Sequence, residues 1–135
     1  MPSNILLYIA QEISQEDLQE KAIAIKAVDV SEVNETRFNL QRDSQNIWFS
    51  IDSYSIPELE EPALANIKAM IGGTPKTCIN IEIRRVCDGE RLAVELANYL
   101  LQHYTGVLLG VTRSVYYSRL DLAKMLLLEQ EPNID

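Results

Sequence analysis

Apolar positions along this chain switch between a period of two and a period near 3.6, and the switches mark its elements. Residues 4–10, NILLYIA, form a continuous apolar run with an aromatic. That pattern fits a strand buried on both faces better than a half-wet edge strand. Ser14 follows, with Asp17 three residues on and acids in the next turn, a capping-box-like start that predicts a helix over about 15–26. Inside it Leu18, Ala22, Ile23 and Ile25 are loosely spaced, and AIAIKAVDV also alternates as a strand would. In TRFNLQRDSQNIWFSIDS, Phe38 and Leu40 alternate with Arg37, Asn39 and Gln41. Asp43-Ser44-Gln45 supplies turn chemistry and Ile47, Phe49 and Ile51 return on one face, so the segment predicts a hairpin.

In PELEEPALANIKAMIGG, opened by Pro57, the residues Leu59, Ala63, Ile67 and Met70 fall on one helical stripe. Pro62 belongs in a first turn, which places the helix start near Glu61, and Gly72-Gly73 ends it. In TCINIEIRRV, Ile79, Ile81 and Ile83 alternate with Asn80, Glu82 and Arg84, the pattern of a sheet wet on one face. Asp88 is the expected cap of a helix whose buried stripe is Leu92, Ala93, Leu96, Ala97, Leu100 and Tyr104, with Arg91, Glu95, Asn98 and Gln102 toward water. GVLLGV predicts another buried strand, and Ser118 caps a last helix over about 119–129. There Leu120, Ala123 and Leu127 form the expected docking stripe, with Leu122 and Leu126 beside it. Met125 and Leu128 carry the apolar arc past the width that one-sided docking needs. They are candidate contacts with a second copy of the chain or another partner. The order β-α-β-β-α-β-α-β-α predicts a single α+β domain over 1–135. It is a two-layer sandwich, with one mostly antiparallel sheet and helices packed on one face.

Charge narrows the partners. The net charge is −8, and residues 1–75 carry 12 Asp/Glu against 5 Lys/Arg. Such a surface repels phosphate backbones and anionic lipid, which disfavours nucleic-acid and membrane binding and favours a basic protein. It equally serves plain solubility. The N-terminal stretch lacks the basic region and long apolar run of a signal peptide, so a cytoplasmic protein is expected. Cys78 and Cys87 flank one predicted strand, which holds them roughly 30 Å apart, beyond disulfide reach. With one histidine and no ligand spacing, neither a metal nor a cofactor is expected.

Catalytic chemistry finds little footing. His103 sits in a last helical turn with no orienting acid or nucleophile in register. Cys87 precedes a helix N-terminus, but Asp88 and Glu90 offset the activation that Arg84 and Arg85 would give it. Glu58, Glu60 and Glu61 suit the positive end of a helix dipole without any metal. The loop TRSVYYSR (112–119) sets Arg113 and Arg119 beside Tyr116 and Tyr117 before a helix. It is the one place where a phosphate-bearing ligand, or an enzyme site, is conceivable. Pairing of its arginines with the chain's own carboxylates is the simpler expectation.

Trp48 resists a purely structural reading. It alternates out of phase with Ile47, Phe49 and Ile51, so it belongs on the polar sheet face with Arg37, Asn39, Glu82 and Arg84. An exposed Trp on a polar platform is a usual anchor for protein contact; cover by a loop or dimer mate is the alternative. The run ERLAVELANYLLQHYTGVLLG (90–110) is similar to a helix, short turn and apolar strand of bacterial polymorphic-toxin immunity proteins, with Thr105-Gly106 in place of their usual glycine pair. That resemblance implies a non-catalytic inhibitor that occludes a cognate, basic effector toxin. The candidate contacts are then Glu58, Glu60, Glu61, Trp48, Arg37, Asn39, Glu82 and Arg84. An oligomeric adaptor or ligand-sensing module, and a small enzyme using the 112–119 loop, stay open beside it.

Overall fold

The computed structural model describes residues 3–25, 29–34, 37–42, 45–52, 56–57, 59–83, 89–128 and 132–135. Among these, β1 (Ser3–Ile9), α1 (Gln15–Ala24), β2 (Asp29–Asn34), β3 (Arg37–Arg42) and β4 (Gln45–Ile51) come first. α2 (Glu61–Ile71), β5 (Thr77–Ile83), α3 (Glu90–His103), β6 (Gly106–Leu109), β7 (Tyr116–Tyr117) and α4 (Arg119–Leu127) follow. The strands form one antiparallel sheet in the order β2-β3-β4-β5-β1-β6-β7. The α+β class and the antiparallel sheet agree with the sequence pattern. Two strands, β2 and β7, are additions to the predicted order.

β1 lies inside the sheet, between β5 and β6, and its continuous apolar run serves both faces. Ile5, Leu7 and Ile9 enter the main core with Leu40, Ile47, Phe49, Ile81 and the buried sides of α1, α3 and α4. Tyr8 points the other way, into a second cluster with Cys78, Val107, Leu109, Ile67 and Ile71. Ile67 and Ile71 are the buried residues of α2, so three helices share one face, as expected, while α2 covers part of the opposite face. The cause is local: β1, β5 and β6 each turn apolar side chains to that second face, and apolar surface needs a cover. Two fully buried aliphatic side chains contribute about 3–6 kcal/mol to holding α2 there. α3 buries seven residues and is the centre of the fold. On α2, Met70 was expected in the buried stripe but is 53% exposed; Ile71 takes that place.

Turns and caps set the angles between these elements. Ser14 Oγ accepts the Asp17 N–H at 3.1 Å and starts α1. Gly72, in the left-handed region with φ 80°, ends α2. α3 begins beyond Gly89 with no side-chain cap, and the expected cap Asp88 lies outside the described residues. A Cβ at Gly89 would stand 2.7 Å from the Asn46 carbonyl oxygen, so glycine lets the helix start close to β4. Gly106 plays the same part at the turn into β6, where a Cβ would stand 2.5 Å from the Tyr8 carbonyl oxygen.

α4 docks differently from its predicted stripe. Leu122 is buried, Met125 and Leu126 pack half-buried against the main core, and Leu120 and Leu127 are exposed. Of the two candidate contacts, Met125 is thus half-buried against the core and Leu128 is 52% exposed. Apolar residues occupy nearly every position of LDLAKMLLL, so periodicity leaves the helix's rotation open. One contact from outside the helix fixes it, and a cap fixes where the helix starts. Ser118 and Asp121 close a reciprocal capping box at its start. At its end the Arg91 guanidinium, expected to face water, donates to the carbonyls of Leu126 and Leu128. A cation there also suits the negative end of the helix dipole.

Burial in the second cluster, and then the neighbouring Cys78 thiol, hold the Tyr8 phenol well above the ordinary tyrosine range. The unfolded chain releases that proton near pH 10, the native chain only higher, so above about pH 10 the native state binds more protons. Stability should therefore fall as pH climbs past about 10, at up to about 1.4 kcal/mol per unit from this group. Tyr117, raised by burial and by Asp135 and Asp121, adds to the same slope. Urea unfolding from pH 8 upward should show Tyr8→Phe losing much of that dependence; an unchanged slope in the variant would assign it elsewhere.

Candidate partner-binding face

Strand register sets the polar residues of the second face in rows. Asn39 on β3, Trp48 on β4, Glu82 on β5 and Asn4 on β1 stand side by side in one row. Arg37, Ser50, Asn80 and Leu6 form the next, and Gln41 pairs with Asn46 on the other side of Trp48. The out-of-phase position of Trp48 thus places it where the alternation predicted, together with Arg37, Asn39 and Glu82. All four are half-buried. Alternation on β3, β4 and β5 does this work: the intervening Phe38, Leu40, Ile47, Phe49, Ile81 and Ile83 are drawn into the main core.

The row has its own contacts. The Arg37 guanidinium carbon lies 5.0 Å from the centroid of the Trp48 ring, a cation–π approach. Asn4 Nδ2 donates to Asn80 Oδ1 at 3.0 Å. A cavity of about 30 Å³ opens among Asn4, Arg37, Trp48, Ser50, Asn80 and Glu82. Three oxygens on this face, Asn39 Oδ1, Asn46 Oδ1 and Glu82 Oε2, are sealed from solvent and accept no hydrogen bond. A sealed acceptor without a donor costs about 1–3 kcal/mol, more for a charged one. Sequence reasoning found the row but not these oxygens, because alternation reports the face a side chain takes and not what its polar atoms meet.

Glu60 and Glu61 are exposed at the start of α2, on the same side of the sheet as Trp48. The structure therefore brings the acidic helix start and the Trp48 row onto one side, which the sequence left unconnected. Glu58 and Arg84 lie outside the described residues, as does Cys87.

The other candidates lie apart. His103 is exposed, its ring 4.7 Å from that of Tyr99. In the 112–119 loop Arg113 adopts a left-handed φ of 64° and donates to the main-chain carbonyls of Asn4 at 2.7 Å and Gly110 at 3.1 Å. Its expected partners were carboxylates; instead the guanidinium is committed to the main chain. The Asp121 carboxylate accepts from Ser118 N–H at 2.8 Å and is committed to its cap. An open groove of about 260 Å³ runs past Met70, Gly106, Val107, Tyr116 and Ser118. Among the described residues no three of His, Cys, Asp or Glu gather as a metal site would require, and no helix is long and apolar enough to cross a membrane.

No family model matches the chain, and neither does any curated protein or any solved structure.

Proposed function

We propose that this chain is a non-catalytic, immunity-type inhibitor that occludes a basic effector toxin with the side of its sheet carrying Trp48, Glu60 and Glu61. One observation carries the reading: α2 covers only the Tyr8–Cys78–Val107 part of that face, and the polar rows around Trp48 lie beside it. A large aromatic set among polar groups, with acids on the same side, has the make-up of a contact centre and its charged rim. The acidic balance of residues 1–75 supports a basic partner over a nucleic acid. The resemblance of residues 90–110 to immunity proteins supports a toxin as that partner.

The test begins with the gene neighbourhood, where a large secreted-toxin gene immediately upstream is expected, and continues with co-expression of the chain and that toxin. Protection of growth, with a stoichiometric complex on size-exclusion chromatography, is the expected result. Cells that die while the folded chain accumulates, with no complex at micromolar concentration, would overturn the proposal.

A further inference from the structure

The sheet ends unevenly on its β7 side. β6 bonds to β1 along one edge and, at Leu108 and Leu109 alone, to β7 along the other. The phase of this bonding is fixed at both ends of β6. Ala10 N–H donates to the Thr105 carbonyl at 2.8 Å on the β1 side, and Gly110 N–H to the Val115 carbonyl at 2.9 Å on the β7 side. Thr105 N–H also turns to the β1 side, where Gln11 Oε1 accepts it at 3.0 Å. Bonding direction alternates along an antiparallel strand, so Gly106 turns its N–H and C=O outward, as Leu108 and Gly110 do. The place opposite Gly106 would fall to the residue after Ser118, but Ser118 caps α4 and Arg119 is already helical. Among the described residues no other hydrogen bond reaches the Gly106 main chain, which is half-buried beside an exposed Thr105.

A groove opens at the same spot. Its volume of about 260 Å³ lies among Met70, Gly106, Val107, Tyr116, Ser118 and Asp121. Val107 and Tyr116 belong to the second cluster, so the groove is on the α2 side of this edge. A cavity of about 150 Å³ already takes a benzene ring, so one large side chain has room here. The exposed Met70 is a flexible wall that can close on it. Outward main-chain groups at a sheet edge are a template for another strand, and a groove on one face takes that strand's alternate side chains. Asp121 is the charged group in the lining and favours a neutral or basic segment. A second copy of this chain fits poorly, since its net charge is −8 and its other edge strand, β2, carries Asp29 and Glu32. We propose that the Gly106 edge accepts an extended, neutral or basic segment of another protein as an eighth strand, with one large apolar side chain in the Met70–Tyr116 groove. β5 and β1 separate this edge from Trp48 on β4, and the proposal does not depend on the toxin reading.

The test begins on the free chain. In amide hydrogen exchange followed by nuclear magnetic resonance, Gly106 should exchange at least about tenfold faster than Leu108, which pairs with Tyr117 on the same edge. Equal protection of the two amides would mean a closed edge and would overturn the proposal. The probe is then a blocked peptide, acetyl-Lys-Thr-Val-Phe-Val-Thr-Lys-amide, titrated into the full chain. Saturable shifts at Thr105, Gly106 and Met70, in the millimolar range or tighter, are expected, with slowed exchange at Gly106. When the phenylalanine enters the groove, the two valines turn their N–H groups to β6 and the phenylalanine turns its own away. N-methylation of both valines should therefore weaken binding at least about tenfold, and N-methylation of the phenylalanine should change it by less than about twofold. Equal effects of the two methylations, or no saturable shift at those signals, would overturn the proposal. So would the same shifts appearing without peptide as the chain is concentrated, which would make a second copy the occupant. No toxin enters these measurements, so their failure and a failure of growth protection are separate results.

Discussion

Phe49→Ala is expected to cost about 3–5 kcal/mol of stability, while Trp48→Ala, one residue earlier on the same strand, leaves the fold standing and weakens partner binding. Phe49 is 1% exposed, its ring centroid 5.5 Å from that of Phe38 in a stacked pair, with Ile81 beside it across β5. Its removal opens a cavity between the sheet and α3, where close-packed neighbours relax little. Against a typical domain stability of about 5–15 kcal/mol, that is a loss of a third or more in most cases. Trp48 faces the other way and is half-buried, so its truncation removes less packing. At a contact centre the same truncation costs about 2 kcal/mol or more of binding, roughly 30-fold in Kd. Urea titrations of both variants and calorimetry of Trp48→Ala with the effector measure the contrast. Equal losses of stability would make Trp48 a core residue and remove the ground for the contact reading.

That contrast depends on strand alternation, the feature of this fold that the sequence carried most plainly. β3, β4, β5 and α3 were legible because their apolar positions repeat cleanly, and side chains on those strands fall where the repeat puts them; β1 was legible as an unbroken apolar run. The phase of α4 was not legible, because Leu120, Leu122, Met125, Leu126, Leu127 and Leu128 leave several rotations equally apolar; Arg91, which ties the end of α4 to α3, helps decide among them. β2 was hidden by an alternation that overlaps a helical pattern in AIAIKAVDV. Periodicity also says which side of α2 is apolar but not which face of the sheet receives it. The clue was in NILLYIA: a strand apolar on both faces requires a layer on each, and Tyr8 needed the cover that Ile67 and Ile71 provide. That placement puts two candidates that the sequence left unconnected, the acidic start of α2 and the Trp48 row, on the same side of the sheet. The sealed oxygens of Asn39, Asn46 and Glu82 had no signal in the sequence, since each residue is an ordinary polar occupant of an outward-facing position.

If that surface meets a basic effector, the two should associate fast at low salt and far more slowly as salt rises, with dissociation nearly constant. Exposed charges act at long range during approach, and electrostatic steering raises association rates by about 10- to 1,000-fold. The screening length shrinks from about 30 Å at 0.01 M salt to about 8 Å at 0.15 M, so most of the gain disappears across that interval. Short-range contacts made after docking, including those at Trp48, are screened much less and set the dissociation rate. Glu60 and Glu61 are exposed on the same side as Trp48, so Glu60→Lys/Glu61→Lys should slow association and flatten its salt dependence. The exchange also sets two cations at the positive end of the α2 dipole, a cost of about 0.3–1 kcal/mol each. Melting curves of the variant must therefore accompany the kinetics, to show that the helix is still formed. Stopped-flow association at several salt concentrations separates the contributions. An association rate indifferent to salt, or a charge-reversed chain that associates as fast as wild type, would mean that the acids of residues 1–75 serve solubility and take no part in recognition.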